Sequence, residues 1–145
     1  MTRRLILAAL GILAFLGAHL PLSAQGVSAA EATEFQRIIS SQLNAFNADD
    51  GASAYAFAAP NIQRMFPSPE MFLSMVKKGY APVYRRQSHA FGKIGNEMAG
   101  QPTQHVTIID ANGKVWTALY AMERQPDGSW KISGCSLVEA PAADA

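Results

Sequence analysis

The hydrophobic period of the chain changes about half way along its length, and this change constrains the fold more than any other sequence feature. Before Gly79, apolar residues recur at steps of three and four positions, which is the period of a helix with one buried face. The clearest such stripe consists of Phe35, Ile38, Ile39, Leu43 and Phe46. After Gly79, runs rich in β-branched and aromatic residues alternate with turn residues, as is typical of strands. The sequence therefore predicts helices followed by a sheet.

Capping residues locate two of the helices. Ser28 and Glu31 have the spacing of a capping box, in which each side chain bonds a free backbone N–H of the first turn. A later helix is predicted to begin after Ser68, with Pro69 at its first position, and to end at Gly79.

Four strand-like runs follow, and turn residues separate the last three. The runs cover residues 81–94, 104–110, 114–124 and 129–139. The stretches "ANGK" and "QPDGS" predict tight hairpin turns, whereas "GKIGNEMAGQP", residues 92–102, predicts a longer loop. The expected fold class is α+β, with N-terminal helices packed on a curved four-stranded antiparallel sheet and the long first helix across its apolar face.

The N-terminal segment has the layout of a secretory signal peptide. Arg3 and Arg4 precede an apolar run over residues 5–22, and small residues follow at Ser23 and Ala24. We expect residues 1–24 to be removed, with cleavage possible as late as residue 29; retention as a membrane anchor is the alternative. Residues 28–139 are then a single domain, and residues 140–145 a frayed tail. The expected location is periplasmic or secreted.

Export would restrict the partners and the covalent cross-links that this protein can have. The chain has 12 basic and 11 acidic residues, and loss of Arg3 and Arg4 leaves the acidic ones in slight excess. We therefore expect no nucleic-acid partner and no stable membrane span after cleavage. Cys135 is the only cysteine, so no internal disulfide is expected.

The chain resembles a bacterial family of unknown function, the domain-of-unknown-function family 4864. The matching segments are "QLNAFNADD" (42–50), "AYAFAAPNIQRMF" (54–66), "FLSMVKKGYAPVYR" (72–85) and "ALYAMERQPDGSWKISGCSLVEAP" (118–141). The order of elements is similar to the cystatin-like or nuclear-transport-factor-two-like cone, in which a curved sheet wraps one helix. The family resemblance implies no activity, and a fold resemblance does not identify a function.

An acid–base pair is the first chemical candidate. His89 and His105 are expected on neighbouring strands, and either one with Asp49 or Asp50, of which Asp50 is taken as the candidate, would form the histidine–carboxylate dyad of a small cone-type hydrolase, isomerase or lyase. Asp50 also fits the cap of a short second helix. Two histidines without further clustered ligands do not predict a metal site, and no cofactor motif is present in the sequence.

A ligand pocket at the open end of the sheet is the second candidate. Tyr84 and Arg86 are expected to share one face of the first strand, and Trp116 and Tyr120 one face of the third. These four residues, with His105, are the predicted lining. Strict alternation places Cys135 on the opposite face from Trp130 and Ile132, where we expect a half-buried, unreactive thiol.

Two functions of different class follow from these candidates. The favoured hypothesis is a non-catalytic exported module that binds a small apolar or anionic ligand, or a partner protein. The alternative is the cone-type enzyme with a histidine and Asp50. The identity of the ligand and the oligomeric state are left open by the sequence.

Overall fold

The computed structural model describes residues 26–141. Five helices precede the sheet: α1 (Ala29–Asn47), α2 (Gly51–Ala56), α3 (Pro60–Met65), α4 (Pro69–Gly79) and α5 (Ala81–Tyr84). The four strands are β1 (Arg86–Met98), β2 (Gln101–Asp110), β3 (Val115–Arg124) and β4 (Trp130–Glu139). They pair in chain order as an antiparallel sheet that is curled but not closed. The predicted α+β fold class is confirmed.

Helix α1 forms for the reasons that the sequence indicates. The Ser28 side chain accepts from the Glu31 N–H at 3.1 Å, and the Glu31 carboxylate accepts from the Ser28 N–H at 3.1 Å, so the capping box is present. The predicted apolar stripe of α1 is fully buried against the sheet. Each large apolar side chain of this kind contributes about 1.5–3 kcal/mol by leaving water. Packing of this stripe therefore holds α1 across the concave face.

The predicted first strand begins too early. Residues 81–84 are helical rather than extended, because Tyr80 O accepts from the Val83 and Tyr84 N–H groups. Pro82 is tolerated in this first turn because it has no N–H to leave unpaired there. Strand β1 begins only at Arg86, so Tyr84 and Arg86 are not alternate positions of one strand.

The predicted loop over residues 92–102 is also wrong. Strand β1 continues to Met98, and β2 begins at Gln101, so only Ala99 and Gly100 connect them. Both have positive φ, 53° and 73°. Two positive φ angles match the twist of the flanking strands in a two-residue hairpin, although alanine is an unusual residue at such a position.

A β-bulge changes the alternation of β4. Ala121 pairs with Gly134 and Met122 with Ile132, so Ser133 has no partner on β3. The extra residue puts Ile132 and Cys135 on the same, concave face. The bulge lies where the chain around residues 57–59 covers the edge of β4, with the Ala59 N–H donating to Ile132 O and the Ile132 N–H to Phe57 O, both at 2.8 Å. Such bulges commonly redirect a side chain toward a site.

Within residues 26–141, no helix combines the length and the apolar character needed to cross a membrane. The predicted signal peptide, residues 1–24, and most of the predicted tail lie outside the described residues. Over the described range the buried side chains of the helices and the sheet form one continuous core.

Candidate ligand cavity

A cavity of about 360 Å³ lies between the helices and the concave face of β3 and β4. Helix α1 contributes Gln42 and Phe46, and α4 contributes Phe72, Met75 and Val76. The rest of the wall comes from α3 with the following Phe66, the segment from Tyr80 to Val83, Met98 of β1, Tyr120 of β3 and the bulged part of β4. The size is that of an ordinary small-molecule site.

Tyr120 lies at the floor of this cavity. Strand alternation on β3 turns Ala118, Tyr120 and Met122 toward α1, and all three are buried. The Tyr120 side chain is only 1 % exposed, and its hydroxyl has no oxygen or nitrogen partner within the described residues. Its cross-strand neighbour is Cys135, whose thiol is the one group beside it that can accept a hydrogen bond, and a weak one. A buried phenol therefore lines the cavity with no strong acceptor for its O–H.

Asn61 also lines this cavity and has a second buried polar atom without a partner in the described part of the chain. Its Nδ2 donates to Ser133 O at 3.0 Å, while its buried Oδ1 has no partner in residues 26–141. A carbonyl oxygen only accepts, so this contact requires the amide nitrogen to face Ser133 and the amide oxygen to face away. The bulge that exposes Ser133 O thus also orients Asn61.

The titratable groups of the cavity are held in their neutral forms. Burial, reinforced by the nearby Cys135, raises the pKa of Tyr120 well above its ordinary value, and the same two causes raise the pKa of Tyr80. Burial raises the pKa of the Cys135 thiol to about 12. No lysine, arginine, histidine, aspartate or glutamate of the described chain lines the cavity. The cavity is uncharged at neutral pH.

Two predicted ligand residues are occupied by contacts with the protein. The Tyr84 hydroxyl donates to the Asp49 carboxylate, and its ring packs near Phe46. Arg86 donates from Nη1 to Leu43 O at 3.0 Å and from Nη2 to Asn44 Oδ1 at 2.8 Å. Both side chains join the start of the sheet to the end of α1, and neither lines the cavity.

His89 belongs to the same junction. The Arg86 Nε–H donates to His89 Nδ1 at 2.9 Å, so the neutral ring carries its proton on Nε2, which lies 3.3 Å from Ser40 Oγ. Desolvation and, secondly, the Arg86 charge lower the pKa of His89. Its position outside the cavity gives it no access to a molecule bound there.

The remaining predicted residues lie in separate places. His105 Nε2 lies 2.7 Å from Glu97 Oε1, and Trp116 Nε1 donates to Asp110 Oδ2 at 3.0 Å. Asp50 caps α2 through the N–H and hydroxyl of Ser53. Of the five predicted ligand residues, Tyr120 alone lines the cavity, and His89, His105 and Asp50 do not converge.

Three residues that line the cavity, Asn61, Gln42 and Cys135, are not among the predicted lining residues. Gln42 is a polar residue next to the buried apolar stripe of α1, and this position could have indicated a special role. Its Nε2 donates to Ala54 O at 3.1 Å. No local pattern distinguished Asn61, and the bulge hid the orientation of Cys135.

Comparison with known proteins gave one match. A family model described as "Domain of unknown function (DUF4864)" matches residues 28–145, which covers the whole described domain apart from its first two residues. Neither the curated proteins nor the solved structures gave a match.

Proposed function

The chain belongs to the DUF4864 family, whose description assigns no activity, and from the cavity itself we propose that the domain is a non-catalytic module that binds a small molecule. This proposal is carried by two buried polar atoms of cavity-lining residues, Tyr120 Oη and Asn61 Oδ1, which have no oxygen or nitrogen partner in the described residues. Leaving a buried polar group unpaired costs about 1–3 kcal/mol. A bound molecule with complementary groups would recover that cost.

The walls of the cavity support binding of an apolar body. Phenylalanine, methionine, isoleucine and valine side chains form most of the surface, with few polar atoms among them. Apolar walls with a few directed polar groups are the usual composition of small-molecule sites. Methionine side chains also adapt their shape to a ligand more readily than branched residues do.

The positions of the histidines favour binding over catalysis. His105 forms a close pair with Glu97, but neither residue lines the cavity. The Cys135 thiol is in the cavity, yet its raised pKa keeps it protonated and therefore a poor nucleophile. A general base within hydrogen-bond reach of a bound molecule is what acid–base catalysis needs, and the cavity residues provide none.

Titration with N-phenyl-1-naphthylamine, an uncharged apolar fluorophore, tests the proposal. We expect saturable binding that Met75→Trp weakens at least about tenfold, because the indole would fill the cavity. Met71→Trp is the matched control, since Met71 lies one turn away on α4, is 52 % exposed and does not line the cavity. Absence of saturable binding, or equal losses in the two variants, would refute the proposal.

We also propose that the domain acts outside the cytoplasm after removal of its leader. The support is the sequence alone: the basic start, the apolar run and the small residues near Ala24. Cleavage after Ala24 would keep Ser28 as the cap of α1, whereas cleavage after Ala29 would remove it. Intact mass of the exported protein should show a chain that begins at Gln25 or shortly after it; a full-length species in the membrane would contradict export.

A further inference from the structure

We infer that the molecule bound in the cavity is uncharged and carries one hydrogen-bond acceptor, which Tyr120 recognises, and one donor, which Asn61 recognises. This inference rests on the proposed binding function and specifies the chemical class of the ligand. A primary or secondary amide on an apolar body belongs to this class, as does a hydroxyl-bearing compound.

The acceptor on the ligand follows from the state of Tyr120. Its hydroxyl is buried with only the Cys135 thiol beside it as an acceptor, and the raised pKa keeps its proton in place at neutral pH. A protonated phenol in an apolar surrounding offers a donor, and a carbonyl or hydroxyl oxygen is its natural partner. The weak thiol of Cys135 beside it does not compete with such an oxygen.

The donor on the ligand follows from the orientation of Asn61. Because Nδ2 is held by Ser133 O, the atom left for a ligand is Oδ1, which only accepts. The bulge at Ser133 fixes that carbonyl, so the amide cannot turn without losing its own hydrogen bond. The ligand group near Asn61 therefore has an N–H or O–H.

The lack of charge follows from the lining of the cavity. No lysine, arginine, histidine, aspartate or glutamate of the described residues lines it. The charge of Arg86 acts on Tyr120 from outside the lining, but this side chain donates from Nε, Nη1 and Nη2 to protein acceptors elsewhere. The same desolvation that keeps Tyr80, Tyr120 and Cys135 protonated would oppose entry of a carboxylate.

Three compounds of equal size and similar shape test this chemistry. They are 2-naphthamide, 2-naphthoate and 2-isopropylnaphthalene, each measured at neutral pH by displacement of the bound naphthylamine fluorophore. We expect the amide to bind at least about tenfold more tightly than the carboxylate. Tyr120→Phe should weaken amide binding by about five- to tenfold and leave hydrocarbon binding unchanged, since one hydrogen bond is lost. Asn61→Leu should have the same selective effect.

Tyr84→Phe is the matched control, because it removes the same atom from a buried tyrosine whose hydroxyl is partnered outside the cavity. Its ratio of amide to hydrocarbon affinity should equal that of the unchanged protein. Carboxylate binding as tight as amide binding, or an amide affinity that Tyr120→Phe leaves unchanged, would overturn the inference while fluorophore binding kept the proposed function intact. If the fluorophore itself shows no saturable binding, the proposed function fails and the inference with it.

Discussion

Tyr120 and Cys135 are direct partners across the β3–β4 pair, and both side chains line the same cavity. Burial of this phenol and this thiol costs free energy, because only weak hydrogen bonding is available between them. The bulge at Ser133 creates this pairing by turning Cys135 to the concave face. Substitution of Tyr120 and thiol labelling of Cys135 therefore both test how the cavity is built.

Removal of the Tyr120 hydroxyl should not destabilise the ligand-free protein. Tyr120→Phe deletes a buried hydroxyl whose sole acceptor in the described residues is the weak Cys135 thiol, so we expect the free energy of unfolding in urea to be unchanged or to rise by up to about 1 kcal/mol. Tyr84→Phe deletes a partnered hydroxyl and should lower it by about 1 kcal/mol. A larger loss for Tyr120→Phe than for Tyr84→Phe would show that the Tyr120 hydroxyl has a partner in solution.

Cys135 should react slowly in the native protein. With a pKa of about 12, only about one thiol in ten thousand is ionised at pH 8, and the thiolate is the reactive form. We expect slow reaction with an aromatic disulfide reagent in native buffer, fast reaction in denaturant, and further slowing when the fluorophore occupies the cavity. Fast native labelling that the fluorophore does not slow would contradict both the burial and the location of this thiol.

The contribution of His89 to stability should decline in mild acid. Its folded-state pKa is lowered, so the unfolded chain takes up this proton at a higher pH than the folded protein does. The contribution is complete above the ordinary histidine value of about 6.5 and is lost as pH falls from there toward the lowered pKa. Comparison of urea unfolding from pH 7.5 to pH 5 should show a smaller decline for His89→Gln than for the unchanged protein; equal slopes would mean that His89 is solvated.

Arg86 should be a structural residue rather than a ligand contact. Arg86→Met removes the hydrogen bonds to Leu43 O, Asn44 and His89, and we expect a loss of about 2 kcal/mol in the free energy of unfolding. Fluorophore affinity in the folded variant should change less than twofold. Arg64→Met, at an exposed site on α3, is the control and should alter stability by less than about 0.5 kcal/mol. Unchanged stability with lost binding would instead support the sequence-based assignment of Arg86 to the ligand.

The elements that the sequence predicted correctly are those that depend on local interactions. Ser28 and Glu31 form the capping box, Ser68 caps α4 by accepting from the Met71 N–H, and α4 ends at Gly79. The hairpin turns at Gly113 and Gly128 have the positive φ that glycine permits. Such signals involve residues within four positions of one another, so they can be read without knowing the fold.

The candidate site was less predictable, because it depends on residues far apart in the sequence. The expected face of Cys135 assumed unbroken alternation, and a single extra residue at Ser133 reverses it. That bulge is associated with the chain around Phe57 and with Asn61, which lies 72 positions before Ser133. No local pattern indicates such a contact.

Sequence patterns were sufficient to predict the helix-then-strand order, the caps, two of the hairpin turns and the buried face of α1, since each follows from the period or the backbone preference of neighbouring residues. Packing was needed to establish that Arg86 and His89 join α1 to the sheet, and that Tyr120, Asn61 and Cys135 meet at one cavity. A side chain can find its partner across a sheet, a bulge and a helix only when all three have packed. The alternation of side chains along one strand does not reveal a bulge that depends on contacts with another segment of the chain.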